Sequence, residues 1–538
     1  MKKTISMLAM LLAVLMVVTS CGGGSAPAAP AAPAAPGAPA APAAPTKTHI
    51  NLTLNQAIES LDPWNGSTLI GQQLFYQIYD TIMFLNDSNE YEPRIAESVE
   101  VSEDGLSYTF KIKEGIKAHN GKPVTAEDVA YSFEYAFGKP EYSKSTFNNL
   151  STFAGCEVVD DLTVVVKSSE PCGDFLSYLA TRGYILEKDE MEAAIKAEKF
   201  GIEWVPAGTG PYMISSYAPD AEVKLEAFKD YYRGEARMKT ATYQILGDNN
   251  TIVVGFEAGD IDFITVPTAS WANISTNSNY NSYLAPTAHS SFFEVNIHNN
   301  DALSNKLVRQ ALSYAIDRES MVIAAYDGIA DPGYSLANYK TVFGGFSPEE
   351  LTAAGINAYE YNPEKAKALL AEAGYPNGVD VGTILTINSS YWEKMSTIFQ
   401  ANLEAIGVTC KIELADSAAC RARRKALDYN LATTGSNITP DAGYYYSYLR
   451  YVDPADYGKA TELCCDNKEL EEAFLTAKGE TNPEKRKAAF LEWNRITQDG
   501  MYIIPTFYKS TPYAYQKDLV CDQINNNFYH IYEFHWAA

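Results

Sequence analysis

The sequence predicts a mixed α/β or α+β protein that is divided into several lobes. The 538-residue chain is too long for a single hydrophobic core, so two or three domains are expected. Segments that alternate apolar and polar residues, as strands do, are interspersed with segments of helical spacing. No unit recurs at a fixed period through these segments, which argues against a solenoid or a propeller.

The first elements of the body are a strand, two hairpins and two helices. Residues 48–54 alternate like a strand, and residues 69–79 have helical spacing. The turn residues at 103–105 and 160–161 lie next to alternating segments, and each predicts a hairpin. Residues 125–128 begin with Thr and end with Asp. This spacing resembles a capping box and predicts the start of a helix.

Longer helices are expected in the second half of the chain. Their apolar residues recur at helical spacing over residues 307–326, 363–373, 393–406 and 483–498. Gly374 and Gly407 follow two of these segments, and glycine is the residue that most often ends a helix. Strands and helices therefore alternate to the end of the chain.

The N-terminus has the arrangement of a secretory signal. Lys2 and Lys3 precede an apolar run over residues 5–18, and small residues follow up to Cys21. A membrane span would need roughly 20 apolar residues. Residues 1–20 are therefore predicted to be a signal peptide. Small residues before a single Cys resemble the lipobox of bacterial lipoproteins, which implies that Cys21 is lipidated. The alternative is an ordinary signal peptide whose cleavage site lies near a Cys.

Residues 21–46 are predicted to be an Ala/Pro-rich linker. Proline recurs at every third position from Pro27 to Pro45, which matches the three-residue turn of polyproline II. Such a segment is a semi-rigid spacer that reaches up to roughly 70 Å. The signal and the linker together predict an extracytoplasmic body that is lipid-anchored to the bacterial cell membrane, on its outer face or in the periplasm.

Charge and cysteine content narrow the function classes. The net charge is −25, and the two lysines of the signal make the body more acidic still. An acidic surface argues against nucleic acid as a partner. Seven of the eight cysteines lie beyond Cys21, and the disulfide pairing of an exported protein cannot be read from the sequence.

Signatures of catalysis and of metal binding are absent from the sequence. There is no GxSxG, HExxH or P-loop motif. No two cysteines are spaced as CxxC, and His530 and His535 do not share a helical face. Gly208 and Gly210 lack the rest of a phosphate-binding fingerprint, so they are expected to serve a turn. The sequence predicts a protein that is not an enzyme and has no cofactor and no metal.

A series of short motifs runs in order through the body. They include PRIAES (93–98), SEDGLSYTF (102–110), GKPVTAEDV (121–129), DDLTVV (160–165), GTGPY (208–212), GDID (259–262), VRQALSYAIDRE (308–319) and YNPEKAKALLAEAGY (361–375). Together they resemble the signature of the family 5 extracellular solute-binding proteins, which are the oligopeptide, dipeptide and nickel receptors of ABC importers. The motifs span nearly the whole body. Each alone is mainly structural, so together they identify the fold rather than the ligand.

The resemblance implies a type II periplasmic-binding-protein fold. This fold has two lobes joined by a hinge, with an inserted third α+β domain, and it closes on a ligand in the cleft between the lobes. Lobe I is expected at residues 47–84, 188–286 and 506–538. The inserted domain is expected at residues 85–187, and lobe II at residues 287–505.

The resemblance also points to a ligand-binding loop in lobe II. In the family's peptide receptors this loop starts with Gly-Trp and carries an Asp that pairs with the peptide ammonium. Here Gly435 is followed by Ser436 at the Trp position, and Thr439 occupies the Asp position. The nearest carboxylate is Asp441, which can serve if the loop is re-registered; the alternative is a turn residue after a proline. Asn437 lies in the same loop and is also a candidate.

Two further segments match cleft-lining regions of the family. The first follows the predicted strand 48–54 and supplies Gln56 and Glu59 as candidates. The second supplies Tyr391 and Trp392, and Trp392 is the aromatic residue that is expected to be a ligand platform. After the lobe II loop come several tyrosines, of which Tyr444 is a candidate. The chain has 37 tyrosines, and their rings and hydroxyls suit a binding cleft.

The function implied by the resemblance is a lipoprotein that captures a small solute and delivers it to an ABC permease and ATPase complex. The protein is expected to be a monomer, with a peptide as the leading ligand class. Oligosaccharides are an alternative, because tyrosine and tryptophan stack on sugar rings. A nickel chelate is a third ligand class. A sensor lipoprotein that has the same fold but no permease is a rival of a different functional class.

Overall fold

The computed structural model describes residues 47–65, 69–86, 90–139, 150–201, 203–436, 441–446, 449–453, 456, 463–522, 524–525 and 528–537. The predicted signal peptide, the linker and Cys21 lie outside the described residues.

The helices and strands alternate along the body, as the sequence predicts. The first part of the chain forms β1 (His49–Leu54), α1 (Leu69–Ile78), β2 (Met83–Leu85), β3 (Tyr91–Pro93), β4 (Ala96–Val101), β5 (Ser107–Ile112), α2 (Ala126–Phe137), β6 (Phe153–Asp160), β7 (Thr163–Ser168), α3 (Phe175–Arg182) and α4 (Lys188–Lys196). Then come β8 (Tyr212–Ala218), β9 (Glu222–Ala227), β10 (Thr240–Ile245), α5 (Asn249–Ala258), β11 (Phe263–Thr265), α6 (Thr268–Ser275) and β12 (Tyr280–Val295).

The second half of the chain is richer in helices. It forms α7 (Asp301–Ser304), α8 (Lys306–Ala315), α9 (Arg318–Tyr326), β13 (Ala330–Pro332), α10 (Pro348–Ala353), α11 (Pro363–Glu372), β14 (Val379–Ile387), α12 (Ser390–Glu404), β15 (Val408–Ala415), α13 (Ser417–Lys425), β16 (Leu431–Ser436), α14 (Ala442–Tyr446), β17 (Arg450–Tyr451), β18 (Cys464–Cys465), α15 (Lys468–Gly479) and α16 (Pro483–Gly500). The chain ends with β19 (Ile503–Gln516), β20 (Leu519–Cys521), β21 (Ile524–Asn525), β22 (Phe528–Tyr529) and β23 (Phe534–Trp536).

One mixed sheet of eleven strands runs through the body, in the order β15-β14-β16-β12-β19-β11-β1-β10-β9-β8, with β13 beside β19. Strands β12 and β19 lie in the middle and are 16 and 14 residues long. The C-terminal part of β19 pairs with β11, and the C-terminal part of β12 pairs with β16. We call the part that contains β8–β11 and β1 the lobe I half, and the part that contains β13–β16 the lobe II half.

The two halves meet where the pairing of β12 with β19 is interrupted. Pro286 pairs with Ser510 and Ser290 pairs with Tyr508, so three residues of β12 lie opposite the single residue Lys509. This irregularity is a β-bulge, which bends a strand and is often found beside binding sites. We call residues 286–290 together with residues 508–510 the crossover.

Both halves direct the carboxyl ends of their parallel strands toward the crossover. In the lobe II half, β14, β15 and β16 are parallel, and Ser436 at the end of β16 pairs with Ser290. In the lobe I half, β1, β10 and β11 are parallel, and β11 runs antiparallel to β19 so that Thr265 pairs with Tyr513. Ligands of open α/β sheets bind at the carboxyl ends of the strands. The crossover edge is therefore the place to look for a binding cleft.

Hydrophobic cores lie on both sides of the crossover. The largest joins the lobe I half to a separate four-stranded sheet, β4-β5-β7-β6, in which Tyr108 stacks on Phe175 at 4.2 Å between ring centroids. Two further cores pack against the lobe II half. The four-stranded sheet lies within the predicted inserted domain 85–187, and it shares its core with the lobe I half. The domain boundaries themselves stay predictions.

Several local predictions from the sequence are confirmed. Gly105 turns the β4–β5 hairpin with φ of +70°. At the start of α2 the Asp128 carboxylate accepts a hydrogen bond of 2.7 Å from the Thr125 backbone N–H, which is one part of the predicted capping box. Gly374 and Gly407 follow α11 and α12 with φ of +95° and +86°, a left-handed conformation in which glycine ends a helix without strain.

The prediction of one helix over residues 307–326 is wrong. The segment forms two helices, α8 and α9, because Asp317 caps the second and accepts a 3.0 Å hydrogen bond from the Ser320 N–H. The next residue, Arg318, is buried and donates to the carbonyls of Pro505 and Tyr359. The apolar spacing runs through the break, so periodicity alone did not reveal it.

No helix in the described ranges has the length and apolar character needed to cross a membrane. Cys156, Cys172, Cys410, Cys420, Cys465 and Cys521 carry free thiols.

The segment Gly208–Gly210 packs directly against the C-terminal end of α1. The Gly210 N–H donates to the Ile78 carbonyl at 3.1 Å. A Cβ atom on Gly210 would lie 2.6 Å from the Ile78 carbonyl carbon and 2.7 Å from the Tyr79 nitrogen. The glycines therefore serve a close approach of two backbone segments.

This contact predicts that Gly210→Ala destabilises the fold by about 2 kcal/mol, because backbone atoms must move to admit the methyl group. Urea denaturation followed by circular dichroism measures the change. Gly247→Ala is the matched control, since its nearest backbone atom would be 3.9 Å from the new Cβ. Equal stability of the two variants would contradict the prediction.

Candidate functional site

The candidate residues of lobe II lie at the crossover edge of the sheet. Tyr391 and Trp392 begin α12, directly after β14, and Gly435 and Ser436 end β16. Because β14 and β16 are parallel neighbours, their carboxyl ends lie at one edge of the sheet. The topology therefore brings the two predicted segments of lobe II together.

By topology, the candidates of lobe I belong to the same edge of the sheet. Gln56 and Glu59 follow the carboxyl end of β1, and both side chains are exposed. Strand β1 is parallel to β11, whose carboxyl end points to the crossover. The strand order therefore places Gln56 and Glu59 at the same edge of the sheet as the lobe II candidates.

Some predicted contacts cannot be located. Asn437 and Thr439 lie outside the described residues, and so does the side chain of Tyr444. Tyr446, two residues on, is a core residue: its ring stacks on Trp493 at 3.8 Å, and its hydroxyl donates to the Gly344 carbonyl at 2.7 Å. The tyrosine cluster therefore contributes at least one ring to the core.

Asp441 has a partner within the protein. Its two carboxylate oxygens accept hydrogen bonds of 2.5 and 2.7 Å from the Arg486 guanidinium, and both side chains are buried. The Gly443 N–H donates a third bond, of 2.8 Å, to the same carboxylate. A bidentate pair of this kind is strong and directional. A ligand ammonium would have to compete with Arg486, so the geometry favours a structural role for Asp441.

Trp392 is more deeply packed than a ligand platform requires. Only 6% of its surface is exposed, and it belongs to a core of lobe II. Its neighbour Tyr391 is half-buried, and the two ring centroids are 4.5 Å apart. Of the two predicted aromatic contacts, Tyr391 offers more surface to the cleft. The roles of both residues in ligand binding stay predictions.

Lys509 is the residue that sequence reasoning missed. It lies in the crossover, and its ammonium nitrogen is 3.7 Å from the ring centroid of Tyr391 and 5.1 Å from that of Tyr326. Within the described part of the chain its ammonium has no hydrogen bond and no ion pair. Burial lowers the pKa of Lys509 to about 7. One signal was available in the sequence, since Lys509 is the only charged residue of the strand Ile503–Gln516.

His289 lies on the bulged strand β12, next to Lys509 of β19. Its Nε2 is 3.1 Å from the Ser291 hydroxyl. Burial lowers the pKa of His289 well below its usual value, and the charge of Lys509 lowers it further, so the ring is neutral. Gly435 is needed here, because a Cβ at that position would lie 2.9 Å from the Ser290 carbonyl oxygen and 3.1 Å from the His289 ring nitrogen. The predicted site residue Gly435 thus has a packing role as well.

Two buried hydroxyls next to the cleft lack hydrogen-bond partners. Ser290 and Ser436 lie directly opposite each other on β12 and β16, and neither side-chain oxygen makes a hydrogen bond in the described structure. Buried polar groups are nearly always paired. The end of β16 therefore contains buried polar groups with unused hydrogen-bonding capacity.

The chemistry available at this edge is that of recognition. It combines an unpaired cation, aromatic rings, a neutral histidine and serine hydroxyls, which together can hold a polar ligand. Across the described ranges, no three metal-binding side chains are grouped as a metal site requires. These groups lie where the two halves of the sheet meet.

Comparison with known proteins decides the family. The family model "Bacterial extracellular solute-binding proteins, family 5 Middle" matches residues 90–457. The chain belongs to the family 5 extracellular solute-binding proteins. The resemblance found in the sequence is confirmed, and so are the α/β class and the type II periplasmic-binding-protein fold.

Relatives and solved structures agree with this assignment. The glutathione-binding protein GsiB of Salmonella paratyphi A is 26% identical over 473 residues, which cover 86% of this chain and 89% of GsiB. HbpA2 from Haemophilus parasuis superposes with a TM-score of 0.80 at 24% identity, covering 91% of this chain and all of that one. The oligopeptide-binding protein AppA from Bacillus subtilis, in complex with a nonapeptide, superposes with a TM-score of 0.64 at 20% identity over 92% of this chain and 99% of AppA.

The family assignment limits the function. These family 5 homologues are solute-binding proteins and not enzymes, and the family acts outside the cytoplasm. The assignment does not identify the ligand, so the roles of the individual residues rest on the geometry given above.

The Asp441–Arg486 pair predicts a stability effect. Removing either partner leaves a buried charge without compensation, so Asp441→Asn or Arg486→Met should lower the free energy of unfolding by about 3–5 kcal/mol. Urea denaturation measures this change.

The control is Asp499→Asn, which breaks an exposed pair with Lys306 whose side chains are 60% and 50% exposed. Exposed pairs contribute little, so this variant should change the unfolding free energy by less than about 1 kcal/mol. If Asp441→Asn is no less stable than Asp499→Asn, the structural role of Asp441 is wrong.

Proposed function

We propose that this protein is the substrate-binding lipoprotein of an ABC importer that captures a peptide outside the cell. The observation that carries the proposal is the crossover. Two long strands run through both halves of the sheet, and the carboxyl ends of the parallel strands on either side converge on them. A ligand held at this edge contacts both lobes.

The mechanism we infer is closure about the crossover. A bulge on β12 opposite Lys509 interrupts the ladder between the halves, and interrupted pairing is where a sheet bends most readily. Closure would bury the ligand between the segments 55–59 of lobe I and 388–392 of lobe II. The closed form is the one that a permease complex can distinguish from the empty protein.

A peptide is the ligand class that the relatives favour. GsiB is named for glutathione, and AppA was crystallised with a nonapeptide. Peptides offer main-chain groups to polar surfaces such as the serines at the end of β16, and tyrosine rings such as Tyr391 supply contact area. Gln56, Glu59, Tyr391, Trp392, Gly435 and Ser436 are the proposed contacts that lie within the described residues.

The anchor belongs to the same proposal. Lipidation of Cys21 would hold the body at the membrane through the Ala/Pro-rich linker, close to a permease and its ATPase. The domain boundaries predicted from the sequence are proposed with it: residues 47–84, 188–286 and 506–538 for lobe I, 85–187 for the inserted domain and 287–505 for lobe II. The protein is proposed to act as a monomer.

The ligand proposal predicts that the protein binds a short peptide one-to-one and leaves it unchanged. Native mass spectrometry of the purified protein should detect a co-purified peptide, and calorimetric titration with tri-alanine or reduced glutathione should saturate at one equivalent. A co-purified oligosaccharide or nickel chelate would identify one of the alternative ligand classes instead. Turnover of the bound peptide would overturn the proposal.

The anchor proposal predicts the behaviour of Cys21→Ser. Without the lipidated thiol the body should appear in the soluble extracytoplasmic fraction, because stable attachment depends on the acyl chains. The measurement is fractionation followed by a high-salt wash, with the unaltered chain as the control. Retention of the variant in the washed membranes would contradict lipid anchoring through Cys21.

A further inference from the structure

The crossover contains a cation that the protein itself does not neutralise. Other lysines of the described structure form ion pairs near the surface. Lys340, for example, pairs with Asp331 at 2.8 Å. Lys509 is half-buried and has neither an ion pair nor a hydrogen bond for its ammonium in the described structure. A desolvated charge without a partner is unfavourable. Such a group is retained where something else supplies the counter-charge.

The surroundings of Lys509 hold it in place without neutralising it. Tyr391, Tyr326 and Trp392 lie around its ammonium, with ring centroids at 3.7, 5.1 and 5.9 Å. Cation–π contacts stabilise the ammonium and fix its position. They leave its donors free, because an aromatic face carries no lone pair of the kind that a carboxylate offers. Lys509 is thus positioned to donate to a further group.

The position of Lys509 in the fold also supports a role in ligand binding. Its carbonyl accepts a 2.8 Å hydrogen bond from the Thr287 hydroxyl, so it is tied to the bulge of the other crossing strand. The site is therefore at the junction of the two lobes. The acidic group that sequence reasoning assigned to the ligand, Asp441, is already paired with Arg486. Of Asp441 and Lys509, Lys509 is therefore the one that is open to a ligand, and its charge is positive.

We propose that Lys509 pairs with a carboxylate of the bound ligand at the crossover, so that the cleft recognises its ligand by a negative charge. The proposal rests on the proposed function of the protein as a solute-binding protein. It adds that the ligand must carry a carboxylate and that Lys509 is the residue that binds this group.

The neighbouring groups allow the charge of Lys509 to respond to pH. Those that face it are the phenols of Tyr326 and Tyr391 and the neutral ring of His289. Asp331 lies on the adjacent strand β13 and is paired with Lys340. Burial raises the pKa of both tyrosines, so they stay uncharged at neutral pH. Lys509 is the group of this set that titrates near neutrality.

Proton linkage then gives a signed prediction. Below pH 7 the free protein already carries the ammonium, and a carboxylate binds it directly. Above pH 7 the free lysine is neutral, and a bound carboxylate raises its pKa, so binding requires uptake of a proton. The preference for a carboxylate ligand should therefore fall by roughly tenfold per pH unit above neutrality until the pKa of the complex is reached.

The test uses the full-length protein with two matched probe pairs: tri-alanine and its C-terminal amide, and reduced glutathione and its glycyl ethyl ester. Each pair differs by one carboxylate. Calorimetric titration at pH 6.5 should give weaker binding of the amide and of the ester by about tenfold or more. Lys509→Met should lower affinity for the acids by a similar factor and abolish the preference within each pair.

Two variants serve as controls. Lys509→Arg retains a permanent positive charge, so it should keep the preference for the acid but lose its dependence on pH between 6.5 and 8.5. Lys411→Met removes an exposed lysine of β15 in the lobe II half and should bind every probe as the unaltered chain does. Circular dichroism establishes that each variant is folded.

The outcomes separate this inference from the proposed function. If the protein binds acid and amide equally and Lys509→Met changes neither affinity, the protein is a peptide receptor and Lys509 is not its carboxylate partner. If no probe binds and no peptide co-purifies, the proposed function is wrong and this inference is wrong with it. If Lys509→Met weakens acid and amide alike, Lys509 supports the fold of the cleft and does not recognise a charge.

Discussion

The pairing of β12 with β19 is the constraint on which the rest of the structure depends. These strands lie in both halves of the sheet, so their register fixes which residues of lobe I face which residues of lobe II. The bulge opposite Lys509 removes part of the ladder at the point where the halves meet. This local irregularity is the bending point of the closure that we propose, and it lies opposite the lysine that we propose as a ligand contact.

The buried pair of Asp441 with Arg486 has a structural role. It joins the segment that follows β16 to helix α16, whose Arg486 also donates to the Ala477 carbonyl at 2.9 Å. A buried pair contributes little net stability over an apolar substitute, but breaking it is costly. The pair therefore fixes the position of Asp441 within lobe II. In the proposed binding mode, recognition of the ligand falls to groups that are not already paired, such as Lys509.

Local chemistry in the sequence was sufficient for the elements that depend on neighbours in the chain. The Gly105 turn, the Asp128 cap and the glycines after α11 and α12 are determined within a few residues, and the motifs gave the family. The burial of Arg318 after the helix break, the partner of Asp441 and the exposure of Trp392 depend on residues that are distant in sequence. An ion pair between positions 441 and 486 leaves no periodic signal, so the sequence alone offered only a ligand ammonium or a turn as the role of Asp441.

The charge of the whole protein makes the lysine at the crossover informative. With a net charge of −25, the surface as a whole repels an anionic ligand at long range. Salt in the medium screens that repulsion within about 10 Å. At the crossover the balance reverses, because burial weakens the screening around Lys509 and its attraction for a carboxylate acts at short range. In the proposed binding mode, an acidic receptor can therefore hold an acidic ligand, because the selecting charge is inside the cleft and closure of the lobes would exclude water from the pair.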